Sequence, residues 1–140
     1  GYCATLLKYG LPFHNEWVVE CESSQKAAAE AIGALLRHNP TISAVMCYNS
    51  TIAMGAWFGL MRAGRQSGFE SVGNVFDQQI ALAAFADVPE RQLDDVPIAW
   101  SLTPAQEIGC ALAERIMQRI DKQDAATQEQ IMPSRLVTVR

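Results

Sequence analysis

The stretch Ser43–Gly64, SAVMCYNSTIAMGAWFGLMRAG, decides the fold. Its residues 44–48 form a short apolar run with the length of a buried strand. Asn49 comes next, followed by a serine and a threonine, and all three residue types cap helices by accepting a bond from a free backbone N–H group. The pattern then continues to Ala63, and Gly64 suits the left-handed conformation that ends a helix. The stretch therefore predicts a strand leading into a capped helix, which is half of a βαβ unit.

The predicted helix is apolar on two opposite sides, given the roughly 100° between successive residues. One side carries aliphatic residues: Ile52, Ala56, Leu60 and Ala63. The other carries aromatic residues and methionines: Met54, Trp57, Phe58 and Met61. Only one side can pack on the sheet, and aromatic and methionine side chains are typical of interface centres. We therefore expect the second side to form a two-fold homodimer interface, extended by Phe85, with cover by another helix of the same chain as the alternative.

The composition indicates one globular domain. The 140 residues are enough for a real core, and 49% of them are hydrophobic while 19% are charged. A net charge of −4 gives no electrostatic reason for these residues to bind nucleic acid or a membrane. No apolar run approaches the ~20 residues that span a bilayer. Four scattered cysteines without a CxxC pair indicate buried thiols in a reducing cytosol rather than disulfides or metal ligands.

The rest of the chain alternates between helix and strand patterns. Helices are predicted from the start of the chain to Gly10, from Ser23 or Ser24 to Arg37, over 80–86, and over 104–121 with Thr103 as its N-cap. Strands are predicted over 17–21, 71–76, 97–100 and 131–139. In the helix at 104–121, we expect four side chains to point inward: Ile108, Leu112, Ile116 and Ile120. The alternation predicts the α/β class with a mainly parallel sheet.

A polar residue follows each of four predicted strands, over 17–21, 44–48, 71–76 and 97–100. Ser23, Asn49, Asp77 and Thr103 each come just after a predicted strand. Because the carboxyl ends of parallel strands lie along one edge of a sheet, these side chains could hydrogen-bond the hydroxyls of a sugar-like ligand. The alternative for Ser23, Asn49 and Thr103 is that they only cap helices. Asp77 has no evident capping role, which favours a binding role.

The sequence favours no enzyme, cofactor or metal centre. His14 and His38 lack a second ligand at metal spacing, and surface histidines are the better interpretation. The chain has no nucleophile elbow, no GxGxxG sequence and no phosphate-binding loop. An α/β sugar-modifying enzyme would need a catalytic pair, and none is visible.

Four segments in order resemble the LacI/GalR-type repressors. They are PTISAVMCYNSTIAMGAWFGLMRAG (40–64), SVGNVFDQQ (71–79), WSLTPAQEIG (100–109) and MPSRLVTVR (132–140). In the family, the first is a strand that ends in Asn-Asp and enters a helix, and the second is a strand that ends in Gly-Phe-Asp-Asp. The third resembles a strand entering a Pro-started helix, and the fourth resembles the closing Pro-x-x-Leu-Val-x-Arg. This chain departs at Ser50 and Gln78, which replace Asp, and at Gly73, where the glycine is displaced.

The resemblance implies a periplasmic-binding-protein-like (type I) domain of two subdomains that holds a small effector in its cleft. Residues 1–140 would be the C-terminal part, without the helix-turn-helix and most of the N-terminal subdomain. Asn49 and Asp77 match effector-contacting positions, Ser23 and Thr103 match more loosely, and the family dimerises through the matching helix. We expect the sensing part of a cytoplasmic repressor that reaches operator DNA only through the absent domain. The alternative is a soluble sugar-binding protein without a DNA-binding domain.

Overall fold

The computed structural model describes residues 1–65, 79–86, 96–122 and 126–137. The helices are α1 (Tyr2–Lys8), α2 (Gln25–His38), α3 (Ser50–Arg62) and α4 (Ala105–Asp121), with one turn of 3₁₀ helix at Asn15–Trp17. The strands are β1 (Ala44–Cys47), β2 (Ala81–Ala86), β3 (Ile98–Leu102) and β4 (Arg135–Val137). They form one sheet in the order β1-β2-β3-β4, in which the first three are parallel and β4 is antiparallel to β3. The predicted α/β class with a mainly parallel sheet is confirmed.

Local signals placed both helices of the βα layer correctly. Asn49 is the N-cap of α3, and its Oδ1 accepts a hydrogen bond from the backbone N–H of Ile52 at 2.8 Å. The chain leaves α3 through Gly64 at a φ of 71°, the left-handed conformation that glycine adopts most easily. For α2, the N-cap is Ser24, whose Oγ accepts from the N–H of Ala27 at 3.1 Å. Ser23 is therefore free of capping duty.

The core lies between one face of the sheet and the helices α2 and α3. Its fully buried members come from every layer: Ala53 and Leu60 on α3, Leu82 and Ala84 on β2, and Trp100 on β3. Helix α3 packs on β1 and β2 with one side and closely on α2 with another, through Gly55 and Gly59. The parallel β1-α3-β2 arrangement fixes the end of β1, and with it Asn49, at the carboxyl edge of the sheet.

The predicted strand at 17–21 is wrong. Residues Asn15–Trp17 form a 3₁₀ turn, and the following valines, Val18 and Val19, are exposed and pair with none of the described strands. β-branched residues favour an extended chain, but a strand also needs a neighbour for its backbone groups. The segment is held instead by the indole N–H of Trp17, which donates to Oδ1 of Asn39 at 3.2 Å.

The predicted short helix at 80–86 is also wrong, because Ala81–Ala86 is the strand β2 between β1 and β3. Burial alternates along it. Four residues face the core, Ile80, Leu82, Ala84 and Ala86, while Phe85 lies on the opposite face of the sheet. Phe85 therefore does not extend the surface of α3, which packs on the core face. The strand predicted at 71–76 lies outside the described residues.

Helix α4 begins one residue later than predicted, and its apolar row is not covered. Pro104 occupies the N-cap position, so the expected capping by the Thr103 side chain is wrong. No residue of α4 is buried. Ile108 is half-buried, but the exposed fractions of Leu112, Ile116 and Ile120 are 59%, 59% and 64%, contrary to the inward orientation that their spacing predicts. A helical apolar row needs a facing layer, and the described residues supply none here.

Cys47 gives the first test of the core. Burial raises the pKa of its thiol from 9.0 to about 11, and the nearby Cys21 adds to the shift. At pH 8 a two-unit rise leaves about a hundredfold less thiolate. We therefore expect iodoacetamide to modify the exposed Cys3 and Cys110 first and Cys47 at least a hundredfold more slowly, as followed by peptide mass spectrometry.

The raised pKa of Cys47 also makes the stability of the fold depend on pH. Because the folded chain disfavours the thiolate of Cys47, this thiol stabilises the fold below pH 9, and the contribution is lost as the pH rises from 9 towards 11.

Unfolding in urea is the control for the labelling experiment, because the reaction rates of the four cysteines with iodoacetamide should converge there. Labelling of folded Cys47 as fast as that of Cys110 would contradict the buried position of this residue.

Candidate functional site

The carboxyl edge of the parallel strands carries a cavity of about 360 Å³. Its described lining comes from three neighbouring strand ends: Tyr48 and Asn49 after β1, Phe85 and Ala86 at the end of β2, and Thr103 after β3. The register fixes this arrangement, because Cys47 pairs with Ala84 and Ala86 pairs with Leu102. In open parallel sheets, this edge is where ligands bind.

Among the described residues, two larger cavities lie elsewhere and fit a ligand site less well. One, of about 580 Å³, runs between α4 and residues 128–132, beside the uncovered apolar row of that helix. The other, of about 590 Å³, lies between Tyr2 of α1 and the start of β1. Neither stands at the carboxyl ends of the strands, so we take the smaller cavity, with its convergent polar groups, as the candidate site.

Asn49 contributes an amide that is only partly used by the fold. Its Oδ1 accepts from Ile52, and its Nδ2 donates to Oγ of Ser23 at 3.4 Å. An amide offers two N–H donors and two lone pairs, so one of each is left. The capping interpretation is thus confirmed for Asn49, and the same side chain can still donate to and accept from a hydroxyl group.

The edge brings three of the four predicted site residues together. Asn49 contacts Ser23 directly and lines the cavity with Thr103. The Thr103 backbone is anchored, since its N–H donates to the Ala86 carbonyl at 2.9 Å, and its side chain makes no capping bond to α4. The hydroxyls of Ser23 and Thr103 are exposed. A patch of one amide and two hydroxyls is suited to a polyhydroxylated ligand.

Asp77, the fourth predicted site residue, lies outside the described residues, and its role stays a prediction. In the described sheet, the strand beside β1 ends at Ala86, so the neighbouring strand end is not the one predicted to precede Asp77. Sequence reasoning missed the two aromatic residues of the cavity. The period-two alternation of 80–86 could have placed Phe85 at a strand end, and Tyr48 is the residue directly before Asn49.

The described residues show neither a metal site nor a membrane span. Across 1–65, 79–86, 96–122 and 126–137, no three His, Cys, Asp or Glu side chains come together in a way that could hold a metal ion. Within the same ranges, no helix has the length and apolar character needed to cross a bilayer.

Comparison with known proteins gives one consistent result. A family model described as periplasmic binding proteins and sugar binding domain of LacI family matches residues 1–139. The maltose regulon regulatory protein MalI of Escherichia coli strain K12 is 61% identical over 140 residues, which are 100% of this chain and 41% of that protein. The HTH-type transcriptional regulator GntR of the same strain is 30% identical over 120 residues, which are 86% of this chain and 33% of that protein.

Solved structures share the fold at low identity. The LacI family transcriptional regulator from Arthrobacter sp. FB24 in complex with lactose matches with a TM-score of 0.76 and 20% identity, over 96% of this chain and 46% of that chain. A LacI family regulator from Enterococcus faecium with bound ribose matches with a TM-score of 0.71 and 20% identity, over 99% and 49%. The chain thus spans less than half the length of these relatives.

Proposed function

Since this chain belongs to the family of periplasmic binding proteins and sugar-binding domains of LacI-type regulators, we propose that it is the effector-sensing part of a cytoplasmic DNA-binding repressor. The effector is a sugar or a sugar derivative, in line with the sugars named for two structural relatives and with the maltose regulon of the 61% identical one. The chain acts as the C-terminal part of the effector domain. Operator DNA is bound by another part of the protein, because the residues here carry a net charge of −4.

One observation carries the proposal: Asn49 lines an open cavity at the carboxyl edge of the sheet together with Thr103, and its amide contacts the hydroxyl of Ser23. Their groups can donate to and accept from sugar hydroxyls without any charged partner. Because Asn49 also begins α3, a ligand that bonds to its amide acts on the end of a rigid helix. Effector binding would thus bias the closure of a cleft, and that change reaches the DNA-binding part as a coupling free energy.

The repressor assembles as a two-fold homodimer in this proposal. Its interface is the outer face of α3, which we define as Met54, Trp57, Phe58 and Met61. Phe58 and Met61 are exposed, while Met54 and Trp57 are half-buried against the core. The rings of Trp57 and Phe58 stack at 5.8 Å, which makes a flat apolar surface. Helix α2 packs on the side of α3 that carries Gly55 and Gly59, and it leaves the outer face of α3 open.

Substitution of Asn49 tests the site. In the full-length regulator, Asn49→Ala should weaken sugar binding by about 1–3 kcal/mol, since the ligand loses hydrogen bonds in a desolvated cleft. It should also cost about 1 kcal/mol of stability, because α3 loses its N-cap. Asp77→Ala should weaken sugar binding by a similar amount with no capping effect. Calorimetry with maltose, glucose, lactose and ribose measures the affinities, and operator binding should persist in both variants.

The matched control is Asn49→Ser. Serine caps helices about as well as asparagine but lacks the amide N–H groups, so this variant should regain the stability lost in Asn49→Ala while its sugar affinity stays low. Wild-type affinity in both Asn49 variants and in Asp77→Ala would overturn the site. If the wild-type regulator binds none of the four sugars, the proposed function itself fails.

A further inference from the structure

Two aromatic side chains line the candidate site from neighbouring strand ends. The parallel register of β1 and β2 ends with Cys47 opposite Ala84, and Tyr48 and Phe85 are the residues that follow this pair in the chain. Tyr48 lies just beyond the end of β1, and Phe85 lies within β2. Phe85 projects from the face of the sheet away from α3, since Ala84 and Ala86 on either side of it point into the core.

Both rings are available to a ligand. The exposed fractions are 78% for Tyr48 and 50% for Phe85, and both line the cavity that also presents Asn49 and Thr103. The aromatic pairs among the described residues involve other rings, so neither of these two is engaged in ring packing there. Large apolar rings beside a few convergent polar groups are typical of small-molecule sites rather than of ordinary solvated surface.

The described lining of the cavity has no charged side chain, which narrows the class of ligand that the site can bind. This lining contains no Asp, Glu, Lys, Arg or His, since it comprises a tyrosine, an asparagine, a phenylalanine, an alanine and a threonine. A phosphate ester buried against this wall would meet no cation among the described lining residues, and the donors of Asn49 and Thr103 would replace only part of its hydration. A neutral sugar ring has no such cost. Its C–H groups carry partial positive charge and face the negative π surface of an aromatic ring favourably.

We propose that Tyr48 and Phe85 form a stacking wall that makes this site selective for neutral sugars with an apolar ring face over their phosphate esters. The inference rests on the proposed function and assigns specificity within the same site. Asn49 and Thr103 hydrogen-bond the hydroxyl groups of the sugar, and the stacking wall contacts the apolar face of the sugar ring. The ring of Tyr48 matters here and its hydroxyl does not.

Calorimetry of the full-length regulator tests the wall with maltose, glucose, ribose and glucose 6-phosphate. Wild-type protein should bind at least one of the three neutral sugars, and should prefer glucose to its 6-phosphate by at least tenfold. Tyr48→Ala and Phe85→Ala should each weaken binding of the preferred neutral sugar about three- to tenfold. Tyr48→Phe should bind as the wild type, and Phe85→Leu should remain weak because it keeps apolar volume without an aromatic face.

Tyr9→Ala is the matched control, because that ring is 69% exposed at the end of α1 and lies outside the cavity lining. It should bind as the wild type, and circular dichroism melting should show that all variants fold. If Asn49→Ala loses affinity while Tyr48→Ala and Phe85→Ala do not, the wall is wrong and the sugar site stands. Preference for glucose 6-phosphate also overturns the wall. No binding of any neutral sugar overturns the proposed function as well.

Discussion

Gly55→Ala should destabilise the protein by about 2 kcal/mol, although alanine is the better helix former. A Cβ atom at Gly55 would lie 2.7 Å from Cα of Gln25 and 2.8 Å from Cβ of Ala28, both in α2. The first of these neighbours is backbone, so no side-chain rotation relieves the clash and α2 must move away from α3. One turn later, a Cβ at Gly59 would lie 2.8 Å from the Ala29 carbonyl oxygen, so the whole contact is equally tight.

Gly109→Ala is the matched control for this prediction. Gly109 lies inside α4, and an added Cβ there has no neighbour within 4 Å. The same substitution should therefore raise stability by about 0.5–1 kcal/mol through helix propensity alone. Thermal melting of the two variants measures the difference. A stability gain in both would show that α2 and α3 are not packed through glycine.

The Gly55→Ala substitution should also reach the candidate site. Gly55 faces Gln25, the first residue of α2, and the bond between Asn49 and Ser23 joins the starts of the same two helices. Separation of α2 from α3 lengthens a bond that is already 3.4 Å. We therefore expect Gly55→Ala to lower sugar affinity together with stability, whereas Gly109→Ala leaves affinity unchanged.

Local chemistry explains which parts of the fold the sequence predicts. The β1–α3 unit follows from an apolar run, a capping residue and a terminal glycine within 22 consecutive residues, and each acts over a few residues. The α2 helix follows in the same way, since Ser23 and Ser24 both suit an N-cap and only the packed chain selects Ser24. Elements with strong local signals need little help from the tertiary structure.

The strand β2 depends on its partners, which is why its sequence misleads. Alanines dominate Ala81–Ala86, and alanine favours helices when a segment stands alone. Ladders with β1 on one side and β3 on the other supply backbone bonds to both edges, and this tertiary context overrides the propensity. The wrong prediction for β2 also affects the prediction of the candidate site. Asn49 and Thr103 follow strands that are predicted from local patterns, whereas Phe85 is recognised only once β2 is a strand.

The dimer proposal depends on how the outer face of α3 avoids water. Phe58 and Met61 are 39% and 49% exposed, and they lie beside half-buried Met54 and Trp57. Helix α4 presents a second exposed apolar row that includes Leu112. If the outer face of α3 is the dimer interface, a charge placed there should separate the subunits. A charge placed in the apolar row of α4 should then leave the dimer intact.

Phe58→Asp should separate the subunits of the full-length regulator, because a two-fold interface would bury two unpaired carboxylates, one from each copy. A buried unpaired charge costs about 3–5 kcal/mol, which weakens association more than a hundredfold. Phe58 is exposed in the single chain, so the separated subunits should keep the folded circular dichroism spectrum. Sedimentation equilibrium of wild type, Phe58→Asp and the control Leu112→Asp measures the result. A monomeric wild type would refute the dimer, and dissociation by Leu112→Asp alone would assign assembly to another surface.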